Sequence, residues 1–336
     1  MRTVTARGRW IWRVTGVATV AALGIPLGAL IVNAGEPSGG PQTVSAMPTR
    51  TITFAQPVTS LSVESYGALV YITGGPVRST TVTEAVTFSP QDAGPPAVTA
   101  SVRHGHLTLD APDCSQSDCT VGFTVTVPSD VAVTAESDGG PISVSGVAAA
   151  NLDSGGGLVH ATGISGQLTV SSEGDPVIVS GVGAANLDSG GAAVGATDVR
   201  GPLTVNTEGG PLTLDGLSGP LDADTGGADL LARNVAAVTA TVSTENGNVD
   251  MAFTTAPEMV SVDTGGGNAR LVFAAAPRAV TVSTEGGNAL LAVPGGPYAL
   301  NADTAGGPEL VGVATDPTAP RSITVTTNGG PLQIGP

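Results

Sequence analysis

The stretch Leu203-Thr-Val-Asn-Thr-Glu-Gly-Gly-Pro-Leu-Thr-Leu-Asp-Gly216 decides the fold. Polar and apolar residues alternate on both sides of the glycine pair, which is typical of half-buried β-strands. The glycine pair supplies the positive φ that a corner requires, and the proline after it stiffens the exit. The stretch therefore predicts a strand, a corner and a second strand. Four side chains are expected to face inward, namely Leu203, Val205, Leu212 and Leu214.

The same corner recurs along the C-terminal two thirds of the chain. It consists of Ser or Thr, any residue, and a glycine pair or a near variant, and it occurs eleven times at steps of 17 to 23 residues. Such a step allows two strands of about five or six residues and two turns in each unit. The corners begin at Ser137, Ser154, Ser172, Ser189, Thr207, Thr225, Thr244, Thr264, Thr284, Thr304 and Thr327.

A unit of this size cannot bury its own apolar face, so neighbouring units must stack. Similar residues recur at similar places in each unit, and stacking would align them in columns. The pattern predicts an all-β fold, a β-solenoid or β-helix-like repeat region, over residues 131–336. An antiparallel β-sandwich or meander with glycine-rich hairpins would use the same turns and is the alternative.

Two segments precede the repeats. Residues 36–48 are rich in Pro, Gly and Ser and predict a linker. Residues 49–130 contain alternating runs bounded by Gly and Pro, which predict an N-terminal β region. This region holds the two cysteines of the chain, Cys114 and Cys119, and their close spacing predicts a local disulfide in an oxidising compartment.

Residues 1–35 predict export. Val14 to Ala34 are twenty-one residues without a charge, which at about 1.5 Å per residue can span a bilayer. An arginine cluster before this segment, with Trp10 and Trp12, predicts a single-pass transmembrane helix whose start is cytoplasmic. The C-terminal domain would then be extracytoplasmic. The alternative is a signal peptide cleaved near Ala34 and a secreted protein.

Composition excludes several functions. The 48 Gly and 25 Pro exclude a helical bundle, and 3% aromatic residues leave no ring-lined cofactor cavity. All twelve basic residues are Arg, so no Walker A or Schiff-base lysine exists. The net charge of −16 disfavours nucleic acid, which is bound by neutralising phosphates with cations. The sequence predicts no cofactor and no catalytic residue.

Acidic residues at the corners follow a rhythm of two units. In one set, Asp precedes the Ser or Thr, and in the intervening units Glu follows it. Alternation lengthens the gap between like charges to about 8 Å, near the Debye length, so repulsion is tolerable without a cation. The expected role is a solvated edge that prevents lateral aggregation. The alternative is a Ca²⁺-binding edge, assisted by Asn246, Asn268 and Asn288, with the ligands Asp153, Asp188, Asp224, Asp263, Glu173, Glu208, Glu245 and Glu285.

Over about Thr49 to Ile334 the chain resembles the bacterial β-strand-repeat proteins grouped as putative adhesins, a family of unknown function common in actinobacteria. The resemblance rests on the Cys114–Cys119 loop with the strand 121–128 after it, on the tandem corners, and on the closing unit 321–334. It implies an exported β-helix-like domain behind one membrane segment, without catalytic residues to transfer. Such repeats often place Asp after the glycine pair, whereas here Pro or Asn usually follows, which weakens a metal role for that column.

These observations predict a membrane-tethered, extracytoplasmic, non-catalytic protein that offers a binding, adhesion-like or scaffolding surface at the cell envelope. Its partners would be the membrane, through Val14 to Ala34, and an envelope protein or a polysaccharide. Two alternatives remain. One is a polysaccharide-active hydrolase or lyase on a β-helix, and the other is an accessory subunit of an envelope-stress signalling system.

Overall fold

A computed structural model describes residues 45–89, 96–114 and 119–336, and within these ranges the protein is all-β and contains no helix. Consequently, no helix long and apolar enough to cross a membrane occurs in this part of the chain. The predicted transmembrane segment Val14 to Ala34 lies outside the described residues. The strands form two long sheets, here called sheet A and sheet B.

Sheet A has sixteen strands: β1 (Ser45–Ala46), β2 (Arg50–Phe54), β4 (Leu69–Gly75), β5 (Thr80–Phe88), β8 (Cys119–Pro128), β10 (Ile142–Ser145), β12 (Val159–Thr162), β14 (Val177–Ser180), β16 (Val194–Val199), β18 (Leu212–Leu217), β20 (Leu230–Val235), β22 (Val249–Phe253), β24 (Ala269–Phe273), β26 (Ala289–Ala292), β28 (Glu309–Val311) and β30 (Leu332–Gly335). Sheet B has fourteen: β3 (Ser60–Ser65), β6 (Thr99–Arg103), β7 (His106–Asp110), β9 (Ala132–Ser137), β11 (Ala149–Ser154), β13 (Gln167–Ser172), β15 (Ala184–Ser189), β17 (Leu203–Asn206), β19 (Leu221–Asp224), β21 (Thr239–Ser243), β23 (Met259–Asp263), β25 (Ala279–Ser283), β27 (Ala299–Asp303) and β29 (Ser322–Thr326).

Each repeat unit forms one rung, with one strand in sheet B and the next in sheet A. From β9 to β26 successive rungs stack in sequence order, and every strand pairs in parallel with its equivalent in the neighbouring rungs. The pairing offset in sheet B grows from 17 residues, at Ala132 and Ala149, to 20, at Val260 and Val280. The parallel stacking confirms the β-solenoid and excludes the antiparallel sandwich or meander for this region.

The interior between the two sheets is narrow and aliphatic. The predicted inward side chains Leu203, Val205, Leu212 and Leu214 are all at most 1% exposed, and each sits between its equivalents in adjacent rungs. Rings occur in a few rungs, such as Phe253 and Phe273, which stack with centroids 4.8 Å apart. Because every rung shares this interior with two neighbours, apolar burial is continuous along the array.

The hydroxyl that opens each corner lies inside the protein. The eleven corner Ser and Thr residues are buried, and ten of them donate from Oγ or Oγ1 to the carbonyl three residues later, at 2.5 to 3.0 Å. In Ser137, the eleventh, Oγ accepts from the Gly140 amide at 3.1 Å. These bonds satisfy a buried polar group and close the turn at once.

The two glycines of a corner have different roles. In the corner 284–287, Gly286 has a φ of 104°, which only glycine adopts readily. Gly287 does not have a positive φ, but a Cβ there would overlap the carbonyl oxygen of Gly267 in the neighbouring rung. In this corner the prediction that the pair supplies positive φ is therefore right for the first glycine only, whereas in the corner after Thr225 both Gly226 and Gly227 have positive φ. Gly287 is required because the rungs approach closely.

The N-terminal end departs from sequential stacking. Rung β3/β4 pairs on one side with β9/β10 and on the other with β7/β8, although β7 and β8 follow it in the chain. Strands β5 and β6 then add antiparallel to β8 and β7, and β1 and β2 pair antiparallel with β5. Strand β1 lies within residues 36–48, the predicted linker, so this segment is paired at Ser45–Ala46.

The C-terminal end is also out of order. Rung β29/β30, the last in the chain, lies between β25/β26 and β27/β28. The offset from β25 to its neighbour β29 is accordingly 43 residues, from Ala279 to Ser322. The expectation that consecutive repeat units lie on one another is wrong at this end, because pairing here joins strands that are distant in sequence.

Candidate functional site

The acidic rhythm of the corners is present in the register of sheet B. The column that precedes the corner hydroxyls alternates acid and neutral from β11 to β25, because Asp153, Asp188, Asp224 and Asp263 pair with Ser171, Asn206, Ser243 and Ser283. Successive aspartates are thus two strands, or about 10 Å, apart. The side chains are exposed.

Three aspartates of this column have local structural bonds. Asp224, Asp263 and Asp303 each accept, at Oδ1, the backbone amide two residues later, at 3.0 to 3.1 Å. Asn206 accepts the Glu208 amide in the same way at 3.4 Å. These bonds cap the corner from outside, as Asx turns do, while the buried hydroxyl closes it from inside.

The column that follows the corner hydroxyls alternates glutamate and glycine. The predicted residues Glu173, Glu208, Glu245 and Glu285 lie in it at the tips of the corners and are exposed. At Gly265 the corners are too close for a side chain, because a Cβ there would overlap the Glu245 carbonyl oxygen. At Gly190 a Cβ would make only ordinary contacts. Close approach therefore accounts for the glycine at Gly265 but not at Gly190.

Asparagines form a separate ladder on the sheet A side of the corners. The side-chain Nδ2 of Asn268 donates to Oδ1 of Asn248 at 2.8 Å, and Oδ1 of Asn268 accepts the backbone amide of Asn288 at 2.9 Å. Asn248 bonds to Asp229 similarly. Asn268 and Asn288 thus belong to this ladder and not to the acidic column. Within the described ranges, no group of three His, Cys, Asp or Glu side chains has a geometry that could hold a metal ion.

The predicted disulfide is present. Cys114 and Cys119 are bonded, with their Cα atoms 5.3 Å apart. Cys114 is partly buried against the core, and Cys119 begins β8. The bond therefore ties the segment after β7 to the first residue of β8.

Two of the three outward columns of sheet B are acidic and polar. The third column, at the start of each strand, includes apolar residues such as Ala132 and the exposed Met259. Over β3 and the odd-numbered strands from β9 to β29, the two polar columns contain twenty-four positions, of which eight are Asp or Glu and none is apolar or basic. These two columns are called the acidic face. The columns are Ser62, Thr134, Asn151, Thr169, Asn186, Thr204, Asp222, Thr241, Ser261, Thr281, Thr324 and Asn301, and Glu64, Glu136, Asp153, Ser171, Asp188, Asn206, Asp224, Ser243, Asp263, Ser283, Thr326 and Asp303.

The alternation fails at the N-terminal end of this face. Asp110, Glu64, Glu136 and Asp153 occupy the same column on four adjacent strands. The sequence does not reveal this cluster, because β7 and β3 become neighbours through the non-sequential order of the first rungs. Carboxylates about 5 Å apart repel each other, so negative charge is densest here.

The outer surface of sheet A is different. From β2 to β16 its three outward columns contain neither a carboxylate nor an arginine, and this surface is called the uncharged plateau. One exposed carboxylate, Asp198, borders it on β16, directly after Thr197. Tyr71 is its most prominent side chain and is 52% exposed. Beyond the plateau, sheet A is charged, as in the ion pair of Arg270 with Asp250 at 2.8 Å.

One acid lies beneath this sheet. Glu84 of β5 points inward, is 5% exposed, and has its Oε2 3.8 Å from Arg50 Nη1. Its other oxygen, Oε1, has no hydrogen-bond partner. Burial raises the pKa of the Glu84 carboxyl, and the positive charge of Arg50 offsets part of that rise.

Comparison with known proteins gives structural neighbours alone. No protein-family model matches the chain, and no curated protein matches it. Among solved structures, it is similar to a putative adhesin from Bacteroides fragilis (13% identity, 86% of this chain and 97% of that one, TM-score 0.30) and to one from Parabacteroides merdae (13%, 86% and 95%, TM-score 0.34). A putative cell adhesion protein from Clostridium sporogenes matches with 10% identity, 86% and 99% coverage and a TM-score of 0.18. At these scores the likeness assigns neither a family nor a function.

Proposed function

We propose that this protein is a membrane-tethered, extracytoplasmic, non-catalytic binding surface of the adhesion or scaffolding type at the cell envelope. The acidic face is the observation that supports this proposal most. It repeats small polar and acidic side chains at the strand interval over twelve rungs, so it extends for more than about 50 Å. A surface of this length, supported by a shared interior, suits contact with an extended partner at many points.

The tether is proposed from the sequence. The uncharged segment from Val14 to Ala34 and the arginines before it support an anchor with the β domain outside. The Cys114–Cys119 disulfide is consistent with an oxidising compartment. At physiological salt, charges are screened over about one Debye length, 8 Å. The acidic face therefore acts electrostatically only on groups of a partner that come within about that distance.

The test uses the full-length chain in a bacterial host. Intact cells are treated with an external protease and fractionated, and the attachment of the cells to surfaces coated with envelope material is counted. The proposal expects a membrane-bound protein that external protease reaches, and attachment that falls when Asp188, Asp224 and Asp263 are changed together to Asn. Recovery of the protein in the soluble fraction, or attachment that is unchanged in the triple variant, would contradict the proposal.

The two alternatives have their own readouts in the same cells. Release of soluble reducing ends from polysaccharide would indicate the hydrolase or lyase. A changed envelope-stress reporter with unchanged attachment, on deletion of the protein, would indicate the signalling accessory.

A further inference from the structure

The uncharged plateau is a second surface, on the opposite side of the solenoid from the acidic face. One of its columns has a hydroxyl on eight adjacent strands, β2, β5, β8, β4, β10, β12, β14 and β16. Seven strand intervals make this column about 34 Å long. Its members are Thr53, Thr81, Thr126, Thr73, Ser145, Thr162, Ser180 and Thr197.

The other side of the plateau is apolar. Leu69, Pro141, Leu158, Pro176 and Ala193 occupy equivalent positions just before the inward residues of five adjacent strands. Leu69 is 48% exposed and Leu158 41%. Together with the hydroxyl column, this gives the plateau a polar edge and an apolar edge about 13 Å apart, because residues two apart on a strand are separated by about 6.7 Å.

Rings lie between the two edges. The central column places Tyr71 on β4 and His160 on β12, with Ser143 of β10 between them, and Ile178 follows on β14. The two rings are thus about 10 Å apart along the column. The His160 Nε2 and the Thr162 hydroxyl are 3.2 Å apart, which links a ring to the hydroxyl column.

Charge and area limit what this surface can bind. The chain carries a net charge of −16, so an anionic polymer is repelled, and a cationic partner would meet the acidic face first. A partner of the plateau should be uncharged. The plateau covers about 34 by 13 Å, roughly 450 Å², whereas a stable protein interface needs about 800 Å² on each side. A second copy of this chain is therefore a poor fit, and a narrow chain laid along the column is a good one.

We propose that the uncharged plateau binds an uncharged, β-linked glycan, with sugar rings against Tyr71 and His160 and sugar hydroxyls along the Ser/Thr column. Pyranose rings have apolar C–H faces, which can pack on the exposed rings and apolar side chains of the plateau. They also have hydroxyl edges, one of which can bond to the Ser/Thr column. A β-1,4-linked glycan is an extended ribbon and can follow the row of strands, whereas a helical α-linked chain touches it only at intervals. The inference rests on the proposed role as a binding surface and names the ligand class.

The experiment uses the full-length protein in detergent and measures its retention on insoluble cellulose and chitin. Starch is the α-linked comparison, and polygalacturonate is the anionic one. Retention is expected on at least one of the β-linked polymers and on neither comparison. Tyr71→Ala should weaken retention about tenfold, because loss of one ring contact of about 1.4 kcal/mol changes affinity by that factor.

The chain supplies matched controls. Tyr66 is 48% exposed, close to the 52% of Tyr71, but lies at the turn after β3, outside the plateau. Tyr66→Ala should therefore retain full binding, while Ser145→Glu, which places a charge in the hydroxyl column, should abolish it. Unchanged melting temperatures and circular dichroism would show that the variants are folded.

Several results would overturn the proposal. They are no retention on either β-linked polymer, equal losses in Tyr66→Ala and Tyr71→Ala, or unchanged retention in Ser145→Glu. A dimer in sedimentation that Tyr71→Ala dissociates would assign the plateau to a second copy instead. Cell attachment that depends on the acidic face, combined with no retention on either β-linked polymer, would leave the proposed function standing and remove the glycan proposal alone.

Discussion

The outer faces of sheets A and B are built from the same rungs but differ in chemistry. Sheet B presents polar and acidic residues on every rung from β9 onward, whereas sheet A presents an uncharged plateau up to β16 and mixed charges after it. The inward side chains of both sheets are mostly aliphatic. Because each rung packs on the next, the inward side chains must fit those of the neighbouring rungs. The outward side chains are not under this constraint and can differ from rung to rung. The faces are therefore where function should be sought.

The largest expected effect is on the interior that both faces share. Leu214 is fully buried, and Leu214→Ala should lower the free energy of unfolding by about 3 kcal/mol through lost burial and a residual cavity. Leu310, which is 62% exposed on sheet A, is the control, and Leu310→Ala should change it by less than about 0.5 kcal/mol. Denaturant unfolding measures both. Equal losses would show that inward and outward positions are not distinct.

The second effect concerns the corner that joins the faces. Thr244 donates to the Gly247 carbonyl at 2.7 Å, and Thr244→Val should cost about 1.5 kcal/mol by removing a buried hydrogen bond. Thr241 lies on the same strand but faces outward, so Thr241→Val is the matched control. Thermal melting of both variants is the measurement. A smaller loss for Thr244→Val than for Thr241→Val would disprove the structural role of the buried hydroxyl.

The third effect is a pH dependence of stability that arises from Glu84, the buried acid on the inner side of sheet A. Because the pKa of Glu84 is raised in the folded state, its contribution to stability is fully present below the unfolded pKa, near about 4.3, and is lost as pH rises through the folded pKa. Glu84→Gln imitates the protonated form. The variant should equal the native chain near pH 4 and exceed it in unfolding free energy at pH 7. A pH-independent difference between the two proteins would contradict this assignment.

The smallest effect is on the acidic face itself. Ser243→Asp places a carboxylate between Asp224 and Asp263, about 5 Å from each. Each of the two new pairs costs about 0.8 kcal/mol at low ionic strength, and screening at physiological salt reduces the total to about 1 kcal/mol. Thr281→Asp adds the same charge between Ser261 and Thr324, where no acid is directly opposite. Melting at low and high salt should show a salt-sensitive loss that is larger for Ser243→Asp. Identical behaviour of the two variants would show that the alternation does not affect stability.

The repeat region was predictable because its strands and corners are specified by local sequence patterns. Alternation around each glycine pair assigned Leu203, Val205, Leu212 and Leu214 to the interior, and the structure confirms all four. The corner hydroxyls were not predicted to be buried, since Ser and Thr are ordinary turn residues and only the assembled corner reveals a partner such as the Gly247 carbonyl.

The ends and the plateau were not predictable from the same signals. The eight-strand hydroxyl column depends on antiparallel pairing of β2, β5 and β8 and on β4 joining β8, and these contacts join residues far apart in sequence. The acidic cluster of Asp110, Glu64 and Glu136 arises in the same way. The alternation of threonines in each strand indicated β structure only. The position of a strand in the sheet depends on its pairing partners, which no local sequence pattern identifies.

The placement of β29/β30 between β25/β26 and β27/β28 has a consequence for biosynthesis. During translation, β27 and β28 are made before β29 and β30, which separate them from β25 and β26 in the folded protein. Strands β27 and β28 cannot reach their final neighbours until β29 and β30 are present, and Ile323 and Val325 then fill the gap, each at most 1% exposed. A chain truncated before Arg321 would lack this rung, so β25/β26 and β27/β28 would each lose an apolar neighbour.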